Sequence, residues 1–109
     1  MKGPTKLSYT SAKSLSSFRR AVYRIVASIP EGRVLAYGEV ARQAGVPSAS
    51  RAVGTALARN EYRDVPCHRV VRSDGGIGEY AFGGARAKRR RLEEEGVRID
   101  ARGRVVFPS

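Results

Sequence analysis

The sequence predicts a small α/β domain of winged helix-turn-helix type, and three observations lead to this fold class. Residues 18–29 carry apolar side chains at helical spacing, residues 38–60 show two helices joined by a tight turn, and residues 34–37 and 97–107 have the character of strands. The chain of 109 residues has room for one domain with a small core. We therefore expect a single domain.

The first helix is predicted from its periodicity. Its apolar side chains recur at i, i+3, i+4, i+7, i+8 and i+11, which is one face of a helix. They are Phe18, Ala21, Val22, Ile25, Val26 and Ile29. Either Ser16 or Ser17 can cap its start, and the Pro-Glu-Gly sequence at residues 30–32 ends it.

A helix-turn-helix pattern follows. Residues 34–37 form a short apolar run of strand type, and residues 38–44 predict a short helix that Gly45 ends. Ser48 can cap a second helix, and Asn60 suits a left-handed residue after its last turn. Its buried stripe is Ala49, Ala52, Val53, Ala56 and Leu57. Small residues on the packing face are typical of DNA-binding helix pairs, although ordinary helical hairpins share this spacing.

The second half of the chain predicts a turn, a helix and a hairpin. After a polar loop at residues 61–64, Asp74-Gly75-Gly76 marks a turn that doubles the chain back. Residues 77–84 are a loop, and residues 85–95 predict a highly charged helix closed by Gly96. Residues 97–107 predict a small hairpin.

Composition points to nucleic acid as the partner. Lys and Arg total 21 against 10 Asp and Glu, a formal net charge of +11 that attracts polyanions. One cysteine excludes an internal disulfide, and one cysteine with one histidine is too small a set for a four-ligand zinc site. Residues 1–15 contain no apolar run and predict a flexible basic arm before a domain at 16–109, with neither signal peptide nor membrane span. We expect an intracellular monomer, either cytoplasmic and nucleoid-associated or nuclear.

The only cysteine and the only histidine of the chain are adjacent, as Cys67 and His68. A thiol attacks as the thiolate, and histidine is the side chain best suited to remove its proton near neutral pH. Neighbours in an extended strand point to opposite faces, so cooperation would require a turn or a bridging water. The alternative is a half-buried structural cysteine beside a surface histidine.

Three glutamates in the last turn of the charged helix, residues 93–95, are unexpected. Negative charge at a helix C-terminus is disfavoured by some tenths of a kcal/mol per residue. Pairing with the arginines at residues 89–91, four positions earlier, is one explanation, although this orientation is the weaker one. Otherwise at least one of these carboxylates has another purpose.

Several of these residues occur together in the order and near-spacing of a known family. They are Tyr37, Ser50-Arg51-Ala52-Val53-Gly54, Asn60, Pro66-Cys67-His68-Arg69-Val70-Val71, Tyr80, Gly83-Gly84 and Glu95-Gly96. In these the chain resembles the DNA-binding domain of O6-alkylguanine-DNA alkyltransferases, also called methylated-DNA protein-cysteine methyltransferases. The resemblance runs from about Ser17 to Val97.

The resemblance implies a single-turnover reaction on duplex DNA that contains O6-alkylguanine. Cys67 would take the alkyl group, His68 would deprotonate Cys67 through a water molecule, and Glu95 would orient His68. Tyr37 would contact a phosphate and donate a proton to guanine, and Asn60 would be the hinge between the second helix and the active-site loop. No cofactor or metal is implied.

The resemblance also implies two groups of binding residues. Arg51 would enter the minor groove and hold the space of the extruded nucleotide, on a DNA-binding helix with Ser50, Ala52 and Gly54. The alternatives are that Arg51 only contacts a phosphate and that Tyr37 is a core residue of the strand. A base pocket would be lined by Val70, Tyr80, Ala81, Phe82 and Gly83. Extrusion is chemically required, because the alkyl carbon on O6 is inaccessible inside stacked duplex DNA.

Two departures from the family leave an alternative open. The usual additional N-terminal domain is not in this sequence, and the length is that of the alkyltransferase-like proteins, which replace the cysteine, bind the damage and recruit excision repair without transfer. Cys67 favours the enzyme over this alternative. A plain architectural or regulatory DNA binder, with no preference for damaged guanine, is a further alternative. The spacing from Tyr80 to Gly83-Gly84 is also one residue longer than usual, so Phe82 is expected to reshape the pocket.

Overall fold

The computed structural model describes residues 12–107. Its elements, in chain order, are α1 (Ala12–Ala27), β1 (Leu35–Ala36), α2 (Tyr37–Gln43), α3 (Ser50–Ala58), a 3-10 turn (Cys67–Arg69), β2 (Val70–Val71) and α4 (Gly84–Glu94). The two strands pair in parallel. This small α/β arrangement is the predicted fold class.

Helix α1 supplies one wall of the main core. Phe18, Val22, Val26 and Ile29 are buried, as the periodicity predicts. The helix begins at Ala12, so Ser16 and Ser17 lie inside it and cap nothing, because Ala, Lys and Leu at residues 12–15 favour continuation of the helix. Of the predicted arm, residues 1–11 lie outside the described residues.

Helices α2 and α3 form the predicted pair. Val40 and Ala41 of α2 and Val53, Ala56 and Leu57 of α3 are buried in the same core as α1. The turn between them contains Gly45, at φ +89°. Helix α3 starts at Ser50 with Ala49 as N-cap and no side-chain cap bond, so the predicted cap by Ser48 is wrong.

The predicted left-handed conformation of Asn60 is also wrong, because no non-glycine residue of the described chain has positive φ. The Asn60 side chain instead satisfies the backbone of the following loop. Its Oδ1 accepts from the N–H of Tyr62 at 2.9 Å, and its Nδ2 donates to the carbonyls of Tyr62 and Val65 at 3.2 and 3.3 Å.

The parallel strand pair joins the two halves of the domain. Leu35 lies opposite Val70 and Ala36 opposite Val71. The predicted strand at 34–37 is shorter than expected because Tyr37 is already the first residue of α2.

Beyond β2, residues 72–76 turn back as predicted, and α4 leads to a bridge between Ile99 and Val105. The predicted hairpin is therefore reduced to one antiparallel bridge. A smaller core lies beneath it and consists of Val34, Val71, Leu92, Val97 and Val105.

Within residues 12–107, no helix is long and apolar enough to cross a membrane.

Candidate active site

Cys67 and His68 lie in a 3-10 turn, so the objection from extended-strand geometry does not apply. This turn, Cys67–Arg69, leads directly into β2. Cys67 is 4% exposed and His68 is 1% exposed. The predicted half-buried cysteine beside a surface histidine is therefore not what the fold contains, because both side chains are enclosed.

A single carboxylate orients His68. Nε2 of His68 lies 2.9 Å from Oε2 of Glu95. Arg69 holds the same carboxylate with two hydrogen bonds, from Nε to Oε1 at 3.0 Å and from Nη2 to Oε2 at 2.8 Å. Arg69 also donates through Nη1 to the carbonyl of Ile29 at 2.7 Å. The sequence-predicted set of Cys67, His68 and Glu95 is thus brought together, with Arg69 added to it.

The protonation states suit a general base. Burial alone would raise the pKa of Glu95, but hydrogen bonds from Arg69 and His68 hold it at about 2, so this group is a carboxylate that only accepts. Nε2 of His68 therefore carries a proton. Burial lowers the pKa of His68 below its ordinary value against the opposing effect of Glu95, so near neutral pH Nδ1 is an unprotonated acceptor. Nδ1 is buried and bonds to none of the residues described.

A cavity of about 900 Å³ opens beside Cys67. Its walls come from α3, from the start of α2 and from the loop after β2. The residues that line it are Tyr37, Ser50, Arg51, Gly54, Thr55, Leu57, Ala58, Cys67, Arg72, Gly78, Glu79, Tyr80 and Ala81. The predicted nucleophile therefore shares one concave surface with most of the predicted DNA-binding residues and part of the predicted pocket.

Lys88 is a residue that sequence reasoning missed. It is fully buried, and its Nζ donates to the carbonyl of Glu79 at 3.1 Å and to the Tyr37 hydroxyl at 3.4 Å. Burial lowers the pKa of Lys88 to about 8, and a charge on Cys67 would oppose that shift. The available signal was its position four residues before Leu92, the other buried residue of α4.

Tyr37 lines the cavity and its hydroxyl also contacts Lys88. Burial raises the pKa of Tyr37, and Cys67 and Glu79 add to the shift while Arg72 opposes it. Since Lys88 donates to its oxygen, the phenol keeps its own O–H for another acceptor. Gly78 makes the close packing possible, because at φ +77° a Cβ there would lie 3.0 Å from the Tyr37 hydroxyl.

The exposed face of α3 borders the same cavity. Ser50 and Arg51 are exposed, and Ala52 and Gly54 are partly buried. The Arg51 side chain makes no hydrogen bond or ion pair with any residue between 12 and 107. It is therefore free to contact an external group at the edge of the cavity.

Three of the predicted pocket residues do not line this cavity. Tyr80 and Ala81 line it, whereas Val70, Phe82 and Gly83 do not. Val70 is buried in the core. The Phe82 ring packs edge-on against Tyr80 at 5.7 Å and beneath the guanidinium of Arg63 at 4.7 Å, and these contacts leave it partly buried.

The glutamates at the end of α4 divide between the two explanations. Glu93 pairs with Arg89 at 3.3 Å on the exposed face. Glu95 turns inward to His68 and Arg69. Arg91 donates to the Tyr80 hydroxyl at 3.0 Å and takes no part in pairing with Glu95. Glu95 is therefore the carboxylate that, as the sequence suggests, does something other than pair along the helix.

Comparison with known proteins matches residues 17–97 to the DNA-binding domain of 6-O-methylguanine DNA methyltransferases. A methylated-DNA–protein-cysteine methyltransferase of Methanothermobacter thermautotrophicus is 46% identical over 86 residues, which are 78% of this chain and 47% of that protein. The chain thus spans about half the length of this methyltransferase. Alkyltransferase-like protein 1 of Schizosaccharomyces pombe is 42% identical over 78% of this chain and 81% of its own length.

Two solved structures resemble this chain, one of S. pombe Atl1 and one of an OGT protein from a third organism. S. pombe Atl1 in complex with damaged DNA containing O6-carboxymethylguanine has a TM-score of 0.71 at 38% identity, covering 85% of this chain and 90% of that one. Mycobacterium tuberculosis OGT in complex with DNA has a TM-score of 0.68 at 43% identity, covering 72% of this chain and 48% of that one.

Proposed function

The chain belongs to the 6-O-methylguanine DNA methyltransferase family through its DNA-binding domain, and from this premise we propose that it extrudes O6-alkylguanine from duplex DNA and transfers the alkyl group to Cys67. The observation that carries the proposal is the buried Cys67 on the wall of a cavity, next to a histidine held by a carboxylate. Binding of a damaged base without transfer would not require a nucleophile beside a general base.

The proposed reaction balances with the side chains present. The proton of Cys67 passes through a water molecule to Nδ1 of His68, and Glu95 stabilises the imidazolium that forms. The thiolate sulfur attacks the alkyl carbon, the carbon–O6 bond breaks, and its electron pair stays on guanine, which takes a proton from the Tyr37 hydroxyl. The product is a thioether, so each molecule acts once.

Binding of damaged DNA without transfer is the second candidate function. It is favoured by the similarity to S. pombe Atl1, of which this chain covers 90%. In that case the cavity would hold the damaged base, and excision-repair proteins would complete the repair. Cys67 and its oriented histidine argue for transfer.

Intact mass after incubation with an O6-methylguanine duplex tests the proposal. We expect the protein to gain one methyl group, at Cys67, because a thiolate is the strongest nucleophile in the cavity. If the mass of the protein is unchanged when all of the protein is bound to the duplex, transfer is refuted and the binding alternative is favoured.

Binding is expected to depend steeply on salt. If the basic surface neutralises about four to six phosphates, log affinity should fall with log salt at a slope of roughly −0.9 per contact, as bound counterions are released. Titrations of unmodified duplex between low and physiological salt measure this slope. A flat response would leave the net charge of +11 without a role in DNA binding.

Glu95→Gln should slow transfer from duplex DNA and from free O6-methylguanine by a similar factor, roughly 10- to 100-fold, a part of the ~10²–10⁴ that a positioned base contributes. The neutral amide cannot stabilise the His68 imidazolium. Single-turnover rates on both substrates measure the effect. Glu93→Gln is the matched control, since Glu93 pairs on the exposed face. A loss confined to duplex DNA would instead assign Glu95 to DNA binding.

A further inference from the structure

Arg72 lies at the mouth of the cavity because of the strand register. Ala36 and Val71 are partners in the parallel pair, so Tyr37 and Arg72 leave the same end of the pair side by side. The Arg72 backbone is held on both sides by the following turn, donating to the Gly76 carbonyl and accepting from the Gly75 N–H, each at 2.9 Å. The backbone of Arg72 is therefore held in place at the end of β2.

The side chain of Arg72 passes over Gly76. A Cβ at Gly76 would lie only 2.8 Å from Cδ of Arg72, so a larger residue there would force the arginine aside. Arg72 is exposed and lines the cavity together with Cys67 and Tyr37. Its positive charge acts on Tyr37 at the start of α2, while Cys67 lies buried in the wall of the same cavity.

The guanidinium of Arg72 bonds directly to no carboxylate in the described part of the chain, although its charge adds to the hydrogen bond from the Gly76 backbone in lowering the pKa of Asp74. It forms no ion pair within 4.0 Å and no side-chain hydrogen bond with residues 12–107. The nearby carboxylate of Asp74 accepts instead from the Gly76 N–H at 2.9 Å. Glu79 lines the same cavity without pairing with Arg72. The donors of the guanidinium are therefore available to an external anion.

A nucleotide that places its base against Cys67 leaves its sugar and phosphates at the mouth, where the exposed Arg72 lies. A guanidinium presents paired donors that match phosphate oxygens. We propose that Arg72 binds a backbone phosphate of the extruded nucleotide and so positions the base for attack. This inference rests on the proposed function, and it gives Arg72 a role distinct from that of Arg51, because a phosphate contact is needed in single-stranded DNA and a wedge is not.

The test compares wild type with Arg72→Met on O6-methylguanine in a duplex, in a single strand and as the free base. We expect the variant to transfer roughly tenfold more slowly from both DNA substrates and at an unchanged rate from the free base, because only the DNA substrates carry the phosphate. Arg98→Met, which removes an equal charge from an exposed residue outside the cavity, should change these rates much less.

Neutral methylphosphonates on either side of the target nucleotide identify the contact. At one of the two positions, the neutral linkage should slow transfer by wild type by about the same factor as the Arg72→Met substitution does. The same linkage should not slow Arg72→Met further. Equal slowing of the free base would overturn the proposal and assign Arg72 to the pocket or the fold. The proposal would also be overturned if Arg72→Met were still slower than wild type by the full factor when both linkages are neutral.

The two proposals fail in different ways. If wild type gains no methyl from any substrate, the proposed transfer is wrong. The same comparison of wild type and Arg72→Met is then made on affinity for the single strand, with and without the methylphosphonate. Equal affinities of the two proteins for the unmodified strand would refute the phosphate contact.

Discussion

Replacement of Cys67 by alanine is expected to abolish transfer completely and to leave affinity for damaged DNA within about 1 kcal/mol of wild type. The thiol supplies the only bond-forming atom of the proposed reaction. It is 4% exposed, so it offers little surface to the DNA. Intact mass and equilibrium binding to an O6-methylguanine duplex measure the two effects separately.

Two results would contradict this expectation. A methyl group that still appears on the Cys67→Ala protein would identify another acceptor. A large loss of affinity would show that the thiol contributes to the binding surface. Cys67→Ser is the useful companion variant, because a serine hydroxyl is far less acidic than a thiol and should also be inactive while it keeps a polar group in place.

Arg51→Ala is expected to slow transfer from duplex DNA by an amount on the order of a few kcal/mol, the energy of extruding a base. Transfer from free O6-methylguanine should scarcely change, because no extrusion is needed. The side chain is exposed at the edge of the cavity and has no partner within the described residues, so its loss removes nothing from the fold. Rates on duplex, single strand and free base measure the effect.

Arg59→Ala is the matched control, since Arg59 is an exposed arginine at the other end of the same helix and does not line the cavity. It should weaken binding only through its charge. If Arg51→Ala slowed the free-base and duplex reactions equally, Arg51 would support the pocket or the fold, and its role as a wedge would have to be abandoned.

Helix α1 and the helix pair α2–α3 could be predicted because their apolar spacing reflects directly which face is buried. Val22, Val26 and Val53 all lie in the core that the periodicity indicates. The ends of the helices were less predictable. Ser48 has the chemistry of a cap but makes no cap bond, since α3 begins two residues later. A cap depends on where the chain turns, which tertiary packing decides.

The site could be predicted in part. Cys67 and His68 are recognisable because each is the only residue of its type, and Glu95 because its charge is unfavourable at the end of a helix. Lys88 could not be recognised in the same way. It lies among the arginines of α4, and its position four residues before Leu92 places it on the inner face of the helix but does not show that it contacts Tyr37.

The hydrogen bonds around Glu95 also determine when the site can exist during folding. They join residues 27 and 26 positions apart, and Arg69 reaches Ile29 across 40 positions. Contacts of such long sequence separation carry a large loop-closure entropy and form only as the chain reaches its final topology. The orientation of His68 is thus a property of the whole cooperative unit. On heating, the ability to accept an alkyl group should disappear in the same transition as the helical circular dichroism signal.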